Sequence, residues 1–266
     1  RYSHAKSPHK FTQSQLLTCL VLRAYLKTTY RGVVEVLSVS DRLRRCLRLK
    51  GLPHYSTLKR FADRAVTARQ IDALLERITQ AVLADRGRPV ELAMDATGLE
   101  SGSASTYFQT RSGRARQRWV KLSVCVLCGS LIPAGLVVGW GPCNDKTQAM
   151  AVLEKTRAAC GATTPRRLFA DAGYDASYLH AYCRDDWGVA SWIKPAVHRR
   201  DGRLNGEHRS KMTPRRLKAN GYGRRWHVEA FFSGLKRTMG WTLQARQTAG
   251  MFTEAAIRVL AYALRR

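Results

Sequence analysis

Apolar residues recur at helical spacing through the first third of the chain. They fall three or four positions apart, which predicts amphipathic helices with one buried face. The predicted helices are residues 11–29, 31–37, 41–49, 57–64 and 67–84. The segment GLPHY at 51–55 interrupts this pattern with Gly and Pro, and Ser56 is the expected N-cap of the helix that follows. The first 88 residues are therefore predicted to be all-α.

From residue 90 the pattern changes to short apolar runs bounded by turn residues, which is typical of β-strands. The predicted strands are residues 90–94, 119–128, 131–141, 166–170 and 189–193, and the predicted helices are residues 145–160, 177–184, 224–239 and 253–265. Gly129 and Ser130 separate the second and third strands, as in a hairpin. This order predicts an α/β domain with a mixed sheet flanked by helices. The segment DRGRP at 85–89 is the expected boundary between a helical region, 1–88, and the α/β domain, 89–266.

Composition limits the classes of protein and of binding partner to be considered. Hydrophobic residues make up 45% of the chain, which argues against a disordered protein. Lys and Arg number 46 against 19 Asp and Glu, and the formal net charge is +27. A folded protein this positive repels itself unless it works beside a polyanion, so nucleic acid is the expected partner. A membrane surface or an acidic protein is the second choice.

Features of localisation point to the cell interior. No apolar run is long enough to span a bilayer, and the opening RYSHAKSPHK is not a signal peptide. The sequence starts with Arg1 rather than Met, which indicates a fragment of a longer reading frame. Seven cysteines, an odd number, indicate reduced thiols in a cytoplasm, and a DNA partner indicates association with the nucleoid. Cys125 and Cys128 form a CxxC inside an apolar run, which favours core packing over zinc because no second pair lies nearby.

Two basic regions are candidates for contact with DNA. The helices predicted at 41–49 and 57–64, with a tight turn between them, are suited to placing a helix in a DNA groove. The basic residues expected to make these contacts are Arg42, Arg45, Lys59 and Arg60. The alternative is a helical bundle with a solvated basic face. Residues 194–225 hold eleven Lys and Arg, and we assign 194–223 to a basic bridge that either follows phosphates or only solubilises the protein.

Three acids are candidates for catalysis. Asp95 and Asp171 each follow an apolar run, so both are expected at or near the carboxyl ends of strands, where the working crevice of an α/β sheet lies. Glu229 on a facing helix would complete an all-oxygen cluster, which a divalent cation must neutralise. Oxygen ligands without His or Cys favour Mg²⁺ or Mn²⁺, and two such ions serve phosphodiester displacement. Asp145 and Asp175 are instead expected to cap the helices that follow them, with metal binding as the less favoured alternative.

The helix that carries Glu229 has a polar stripe. On a helical wheel Tyr222, Arg225, Glu229 and Lys236 share one narrow line beside an apolar arc. This stripe either faces a polar site at the rim of the core or is ordinary surface with an i,i+4 ion pair between Arg225 and Glu229. Trp226, next to the stripe, is a candidate for base stacking or for packing in the core or at its rim.

The polar stripe also carries a resemblance. Its spacing, Y-x2-R-x3-E-x6-K from Tyr222 to Lys236, is similar to the Y-R-E-K signature of bacterial and archaeal insertion-sequence transposases of the insertion-sequence four/five group. Those proteins belong to the DDE superfamily. The segments MDATGLE around Asp95, DAGYD around Asp171 and RVLAYALRR near the end extend the likeness from about residue 90 onwards. The resemblance implies an RNase H-like mixed five-stranded sheet flanked by helices, preceded by the all-α region.

The resemblance further implies roles for these residues. Asp95, Asp171 and Glu229 would be the catalytic triad and the ligands of two Mg²⁺ or Mn²⁺ ions. The residues implied to hold the double-stranded transposon end are Tyr222, Arg225 and Lys236, with Arg224 beside them. Water would free a 3′-OH at the element end, that hydroxyl would attack target DNA, and a homodimer would pair two ends. The alternatives are an RNase H-like nuclease without strand transfer and a catalytically inactive DNA-binding relic.

Overall fold

The computed structural model describes residues 9–85, 89–101, 119–196 and 204–266. Its N-terminal helices are α1 (Gln13–Tyr25), α2 (Tyr30–Val39), α3 (Asp41–Cys46), α4 (Tyr55–Arg64) and α5 (Ala68–Ala84). α1 and α5 each begin with a capping box, in which a Thr and the Gln three residues later bond each other's backbone N–H. The prediction of Ser56 as the cap of α4 is wrong, because His54 caps that helix and accepts the Ser56 N–H at its Nδ1.

A mixed sheet follows the N-terminal helices. Its strands are β1 (Glu91–Ser101), β2 (Trp119–Leu127), β3 (Pro133–Gly141), β4 (Arg167–Ala170), β5 (Ala190–Ile193) and β6 (Thr242–Leu243). The strand order is β3-β2-β1-β4-β5, and β6 pairs with the far end of β1. β2 is antiparallel to β1 and β3, which confirms the hairpin, whereas β4 is parallel to β1 and β5. Because helices cover both faces, β2 is buried from its second residue to its last.

Helices alternate with and follow the strands. They are α6 (Lys146–Cys160), α7 (Ser177–Ala181), α8 (Pro214–Ala219), α9 (Trp226–Met239) and α10 (Thr248–Arg265). A 3₁₀ turn, Tyr222–Arg225, leads directly into α9. The side chains that α9 buries include those of its predicted apolar arc, Val228, Phe231, Phe232, Leu235 and Met239. The opposite, polar side of α9 is therefore left to face the rim of the sheet.

Two hydrophobic clusters cover the two faces of the sheet. One joins the N-terminal helices, α9 and α10 to one face, and the other packs α6 and the segment after β4 against the opposite face. Residues 254–263 of α10 are all buried, because α10 lies between the N-terminal helices on one side and α9 and the sheet on the other. The helical region and the α/β region therefore share one core.

The predicted fold class is confirmed: a mixed sheet flanked by helices and preceded by helices, with the short β6 added to the five expected strands. The basic bridge at 194–223 lies partly outside the described residues, at 197–203. For the described residues of the bridge, the prediction that this segment contributes nothing to the hydrophobic core is wrong. Thr213 caps α8, Pro214 opens it, and the amphipathic helix buries Leu217 while the preceding Met212 is buried too. Within the described ranges, no helix is both long and apolar enough to cross a membrane.

Candidate functional site

Asp95 and Asp171 are neighbours across the two central parallel strands. The last paired residues of β1 and β4 are Met94 and Ala170, and the two acids are the next residue on each strand. The prediction that both acids lie at or near the carboxyl ends of strands is right for Asp171 and wrong for Asp95, which lies inside β1. β1 continues past Asp95 to Ser101 because β2 remains paired with it after β4 has stopped.

Both carboxylates are oriented by the backbone that follows them. Asp95 Oδ1 accepts the Ala96 N–H at 2.8 Å, and Asp171 Oδ1 accepts the Gly173 N–H at 2.9 Å. Burial raises the pKa of Asp95 to about 6 against the lowering effect of the Ala96 hydrogen bond, and the charge of Asp171 adds to the rise. Two like charges are thus brought together at the point where β4 ends.

Arg225 joins Glu229 to this pair. Its Nη2 bonds Glu229 Oε1, one helical turn away, and its Nη1 bonds Asp95 Oδ2 at 3.1 Å. The Glu229 side chain is 54% exposed, whereas that of Asp95 is 19% exposed. The i,i+4 ion pair is therefore present, and the same guanidinium also reaches across to the sheet.

Tyr222 and Lys236 lie at the two ends of the polar stripe. Tyr222 Oη donates to Ala170 O at 3.1 Å, which fixes the turn before α9 to the last residue of β4. Burial lowers the pKa of Lys236, against the raising effect of the Glu100 charge near the far end of β1. The stripe thus follows β1 and β4 from the two aspartates towards β6.

Two further residues in or next to α9, Arg224 and Trp226, do not contact the two aspartates. Arg224 forms an ion pair with Glu91 at the start of β1, four residues before Asp95, so it stands apart from the aspartates. Trp226 is 55% exposed and stacks on His227, with ring centroids 4.2 Å apart. This exposure argues against packing of Trp226 in the core and is compatible with either base stacking or packing at the rim.

The basic residues predicted on the N-terminal helices are at the surface. Arg42 and Arg45 on α3 and Arg60 on α4 are exposed, while Lys59 forms an ion pair of 2.5 Å with Asp63. Three of the four guanidinium and ammonium groups are thus in solvent.

Asp145 and its partner Lys121 lie beside the turn after Asp171, although the sequence favoured a helix cap for Asp145. The prediction that Asp145 caps α6 is wrong, because its side chain makes no cap hydrogen bond. Its Oδ1 lies instead 2.5 Å from Lys121 Nζ, and its Oδ2 faces Gly173 in the turn after Asp171. The available signal was Lys121 itself, the one charged residue of the apolar strand WVKLSVCVL.

The capping role predicted for Asp175 is also wrong. Its carboxylate, on a residue 3% exposed, accepts Arg209 Nε at 2.7 Å, Arg209 Nη2 at 2.6 Å and the Ala196 N–H at 2.8 Å. α7 begins after Ala176 without a side-chain cap. Asp175 therefore fastens the described part of the basic bridge to the end of β4.

Cations of the chain pair with Asp95, Glu229 and Asp145. Arg225 contacts Asp95 and Glu229, and Lys121 contacts Asp145. Across the described ranges, no three His, Cys, Asp or Glu side chains are arranged as a formed metal centre. Cys125 and Cys128 are buried and form no disulfide among the described residues, in accordance with core packing.

The donor set nevertheless suits a hard cation. A Cβ at Gly173 would lie 2.8 Å from Asp145 Oδ2 and 3.0 Å from Asp171 Oδ1, so two carboxylate oxygens face one small space that only glycine leaves open. Oxygen donors of this kind are what Mg²⁺ and Mn²⁺ prefer. Asp95, next to Asp171, would add a third carboxylate once Arg225 moved aside.

Known proteins provide a family match. Residues 86–264 match the family model described as "Transposase DDE domain". A comparison with curated protein sequences gives no match. Among solved structures, the Drosophila P element transposase strand transfer complex is similar, with 12% identity and a TM-score of 0.36 over 96% of this chain and 65% of that chain. The Mos1 strand transfer complex gives 13% identity and a TM-score of 0.22 over 98% of this chain and 78% of that chain. This chain thus spans less than two thirds of the P element transposase chain.

Proposed function

Because the chain belongs to the transposase DDE domain family, we propose that it cuts DNA at the ends of an insertion sequence and joins the freed 3′-OH to target DNA. We place it in the Y-R-E-K group of bacterial and archaeal transposases on the spacing from Tyr222 to Lys236. The observation that carries the proposal is the register of β1 and β4, which makes Asp95 and Asp171 neighbours. Glu229 is tied to Asp95 by the Arg225 guanidinium.

Asp95, Asp171 and Glu229 would hold the two divalent ions, Mg²⁺ or Mn²⁺, on which the family depends. Bound there, the ions supply charge that activates the attacking oxygen and stabilises the leaving oxygen of the phosphodiester. For Asp95 and Glu229 to serve as ligands, Arg225 must give up both contacts. Its guanidinium then becomes available for a phosphate oxygen, which it can bind with two parallel hydrogen bonds.

The remaining polar residues would position DNA. Lys236 and Arg225 would contact phosphates near the scissile bond, and Tyr222 would keep the turn before α9 against β4. Arg224 lies farther from the acids and would contact the backbone farther along the duplex. Residues 1–88 would bind DNA outside the cleavage point, through Arg42, Arg45, Lys59 and Arg60. Residues 89–266 would carry out the chemistry. Within them, residues 194–223 would form the basic bridge. A homodimer would pair two element ends in the cytoplasm, at the nucleoid.

The proposal is tested with the DNA that flanks the gene. We expect short inverted repeats there, and a duplex that contains one such end should be nicked in Mg²⁺ by the purified protein. Asp95→Ala, Asp171→Ala and Glu229→Gln should each reduce nicking to background while duplex binding, measured by gel shift, is retained. Asp185→Asn, which changes an exposed acid paired with His208, is the matched control and should nick normally.

A second duplex in the same reaction separates joining from hydrolysis. The proposed transposase yields a product in which the new 3′ end is covalently linked to the second duplex. A 3′-OH end that is never joined would support a nuclease, and strand transfer by all three acid variants would refute the assignment of the site.

A further inference from the structure

The turn after Asp171 brings another acid against it. Gly173 has no side chain, and the space of its absent Cβ lies within 3.0 Å of both Asp145 Oδ2 and Asp171 Oδ1. Carboxylate oxygens from two separate elements, the start of α6 and the end of β4, therefore face the same small volume. Like charges in such proximity repel unless a cation lies between or beside them.

A buried lysine sets the direction of the Asp145 carboxylate. Lys121 is 5% exposed, and its Nζ contacts Asp145 Oδ1 at 2.5 Å and donates to Cys143 O at 2.7 Å. A lysine this buried needs a partner of opposite charge, and Asp145 supplies it. Because Lys121 occupies Oδ1, the other oxygen, Oδ2, is directed at Gly173.

A buried hydroxyl independently indicates a ligand at this place. Tyr174 is fully buried, and in the described part of the chain its Oη has no hydrogen-bond partner. Burial raises the pKa of this phenol most, and the charges of Asp145, Asp95 and Asp171 raise it further, so all three acids act on it electrostatically. The Ser123 hydroxyl also interacts with this phenol, and it donates its own proton to Gln148 Oε1 at 2.6 Å. A buried donor of this kind needs an acceptor, and a water bound to an ion provides one.

We propose that Asp145 is a fourth carboxylate of the metal site, whose Oδ2 binds the divalent ion held by Asp171, directly or through a coordinated water. Tyr174 Oη donates a hydrogen bond to the oxygen ligands of that ion. Lys121 orients Asp145 and partly offsets its charge, so that the ion does not face four uncompensated carboxylates. The inference rests on the proposed function, since both concern the same ions.

Titration of the whole chain with Mn²⁺, followed by calorimetry near neutral pH, tests the role of Asp145. Asp145→Asn should weaken Mn²⁺ binding by about ten-fold or more, the usual effect of removing an oxygen that supports a metal site. Asp185→Asn, an exposed acid paired with His208, is the matched control and should bind Mn²⁺ as the unmodified protein does.

Lys121→Met distinguishes a ligand from a merely structural acid. The variant removes the ammonium group from Asp145 but keeps the length and apolar stem of the side chain. If Asp145 is a ligand, its full charge is now available and Mn²⁺ should bind at least as tightly as in the unmodified protein. If the Lys121–Asp145 pair only supports the fold, removal of either partner should weaken Mn²⁺ binding, and this result would overturn the proposal.

Tyr174→Phe provides a test that does not disturb any charge. It removes one oxygen atom, so we expect Mn²⁺ binding to weaken a few-fold while the melting temperature without metal stays the same or rises, because an unpartnered buried hydroxyl has been removed. Unchanged Mn²⁺ affinity in Tyr174→Phe would contradict the part assigned to the hydroxyl.

Failure of this inference and failure of the proposed function give different results. If the unmodified protein binds Mn²⁺ more tightly than Asp95→Ala does, and Asp145→Asn binds like the unmodified protein, only the role of Asp145 is refuted. If the unmodified protein binds Mn²⁺ no better than Asp95→Ala does, the metal site itself, and with it the proposed function, is refuted.

Discussion

A single guanidinium contacts two of the three proposed catalytic acids. Arg225 reaches Glu229 on its own helix and Asp95 on β1. The spacing of four residues predicted the first contact, since i,i+4 side chains are neighbours on any helix. It could not predict the second, because Asp95 lies 130 positions away in sequence and only the docking of α9 on the sheet brings the two together.

Asp95 makes the proposed metal site sensitive to pH. Burial raises its pKa to about 6, so the carboxylate is charged at pH 7.5 and largely protonated at pH 5. A proton competes with a metal ion for the same oxygens. We expect Mn²⁺ affinity, measured by calorimetry, to be about ten-fold weaker at pH 5 than at pH 7.5 from this one group.

The Asp95 carboxyl also affects the free energy of unfolding, and here the pH dependence is opposite to that of Mn²⁺ affinity. Without metal, the folded chain binds a proton at Asp95 at a pH where the unfolded chain has released it, so the free energy of unfolding should fall as pH rises from about 4 to 6. Asp95→Asn should flatten this dependence in thermal unfolding with a chelator present. An equally steep dependence in the variant would mean that another group is responsible.

For the helices and strands, the apolar pattern predicted which elements exist better than it predicted where each one begins and ends. The hairpin, the α9 helix and the strands before Asp95 and Asp171 all followed from residue patterns. The extension of β1 to Ser101 did not, because DATGLES has weak strand propensity and is held by pairing with β2, where Trp119 packs over Gly98. Likewise the pattern identified Lys121 as an isolated charge in a strand but could not show which residue would pair with it.

α10 carries a buried ionic group that links the two halves of the chain. Glu254 accepts Arg258 Nη2 at 2.7 Å and the Ala245 N–H at 2.9 Å, and lies 3.9 Å from Arg23 on α1. Glu254→Gln would leave two buried arginines without an anion. We expect the free energy of unfolding, measured with urea, to fall by about 3–5 kcal/mol.

The matched control for Glu254 is Glu154→Gln, which changes an exposed acid on α6 and should have little effect on stability. A loss of less than about 1 kcal/mol in Glu254→Gln would show that this ionic group does not hold α1 to α10.

In the whole molecule, the hydrophobic core and the positive charge occupy different regions. The core is continuous from α1 to α10, while the net charge of +27 lies largely on side chains outside it. Composition predicted a polyanionic partner without any knowledge of the fold, because net charge depends only on residue counts. The continuity of the core was not predictable, since the change of pattern at residue 90 marks a change of secondary structure and not a gap in packing.

Binding to generic duplex DNA should weaken steeply with salt. Each phosphate that the protein no longer neutralises should reduce the slope of log K against log salt by about 0.9. The double variant Arg42→Ala with Arg45→Ala removes two side chains that are predicted to bind phosphates. It should therefore lower the slope by about 1.8, as measured by fluorescence anisotropy.

The charge-matched control is Arg69→Ala with Arg77→Ala, two exposed arginines on α5 that are not predicted to meet DNA. If both double variants change the slope equally, the effect is one of total charge, and α3 does not bind DNA.

The position of α10 has a consequence for how the protein is made. The described partners of α10, including α1 and the Glu229 helix, precede it in the chain and therefore leave the ribosome first. Gly234 of α9 admits the Tyr262 ring so closely that a Cβ there would lie 2.1 Å from its hydroxyl, so the packing of α9 includes a residue that is translated later. The packing that holds the Glu229 helix is therefore completed only when α10 has been translated.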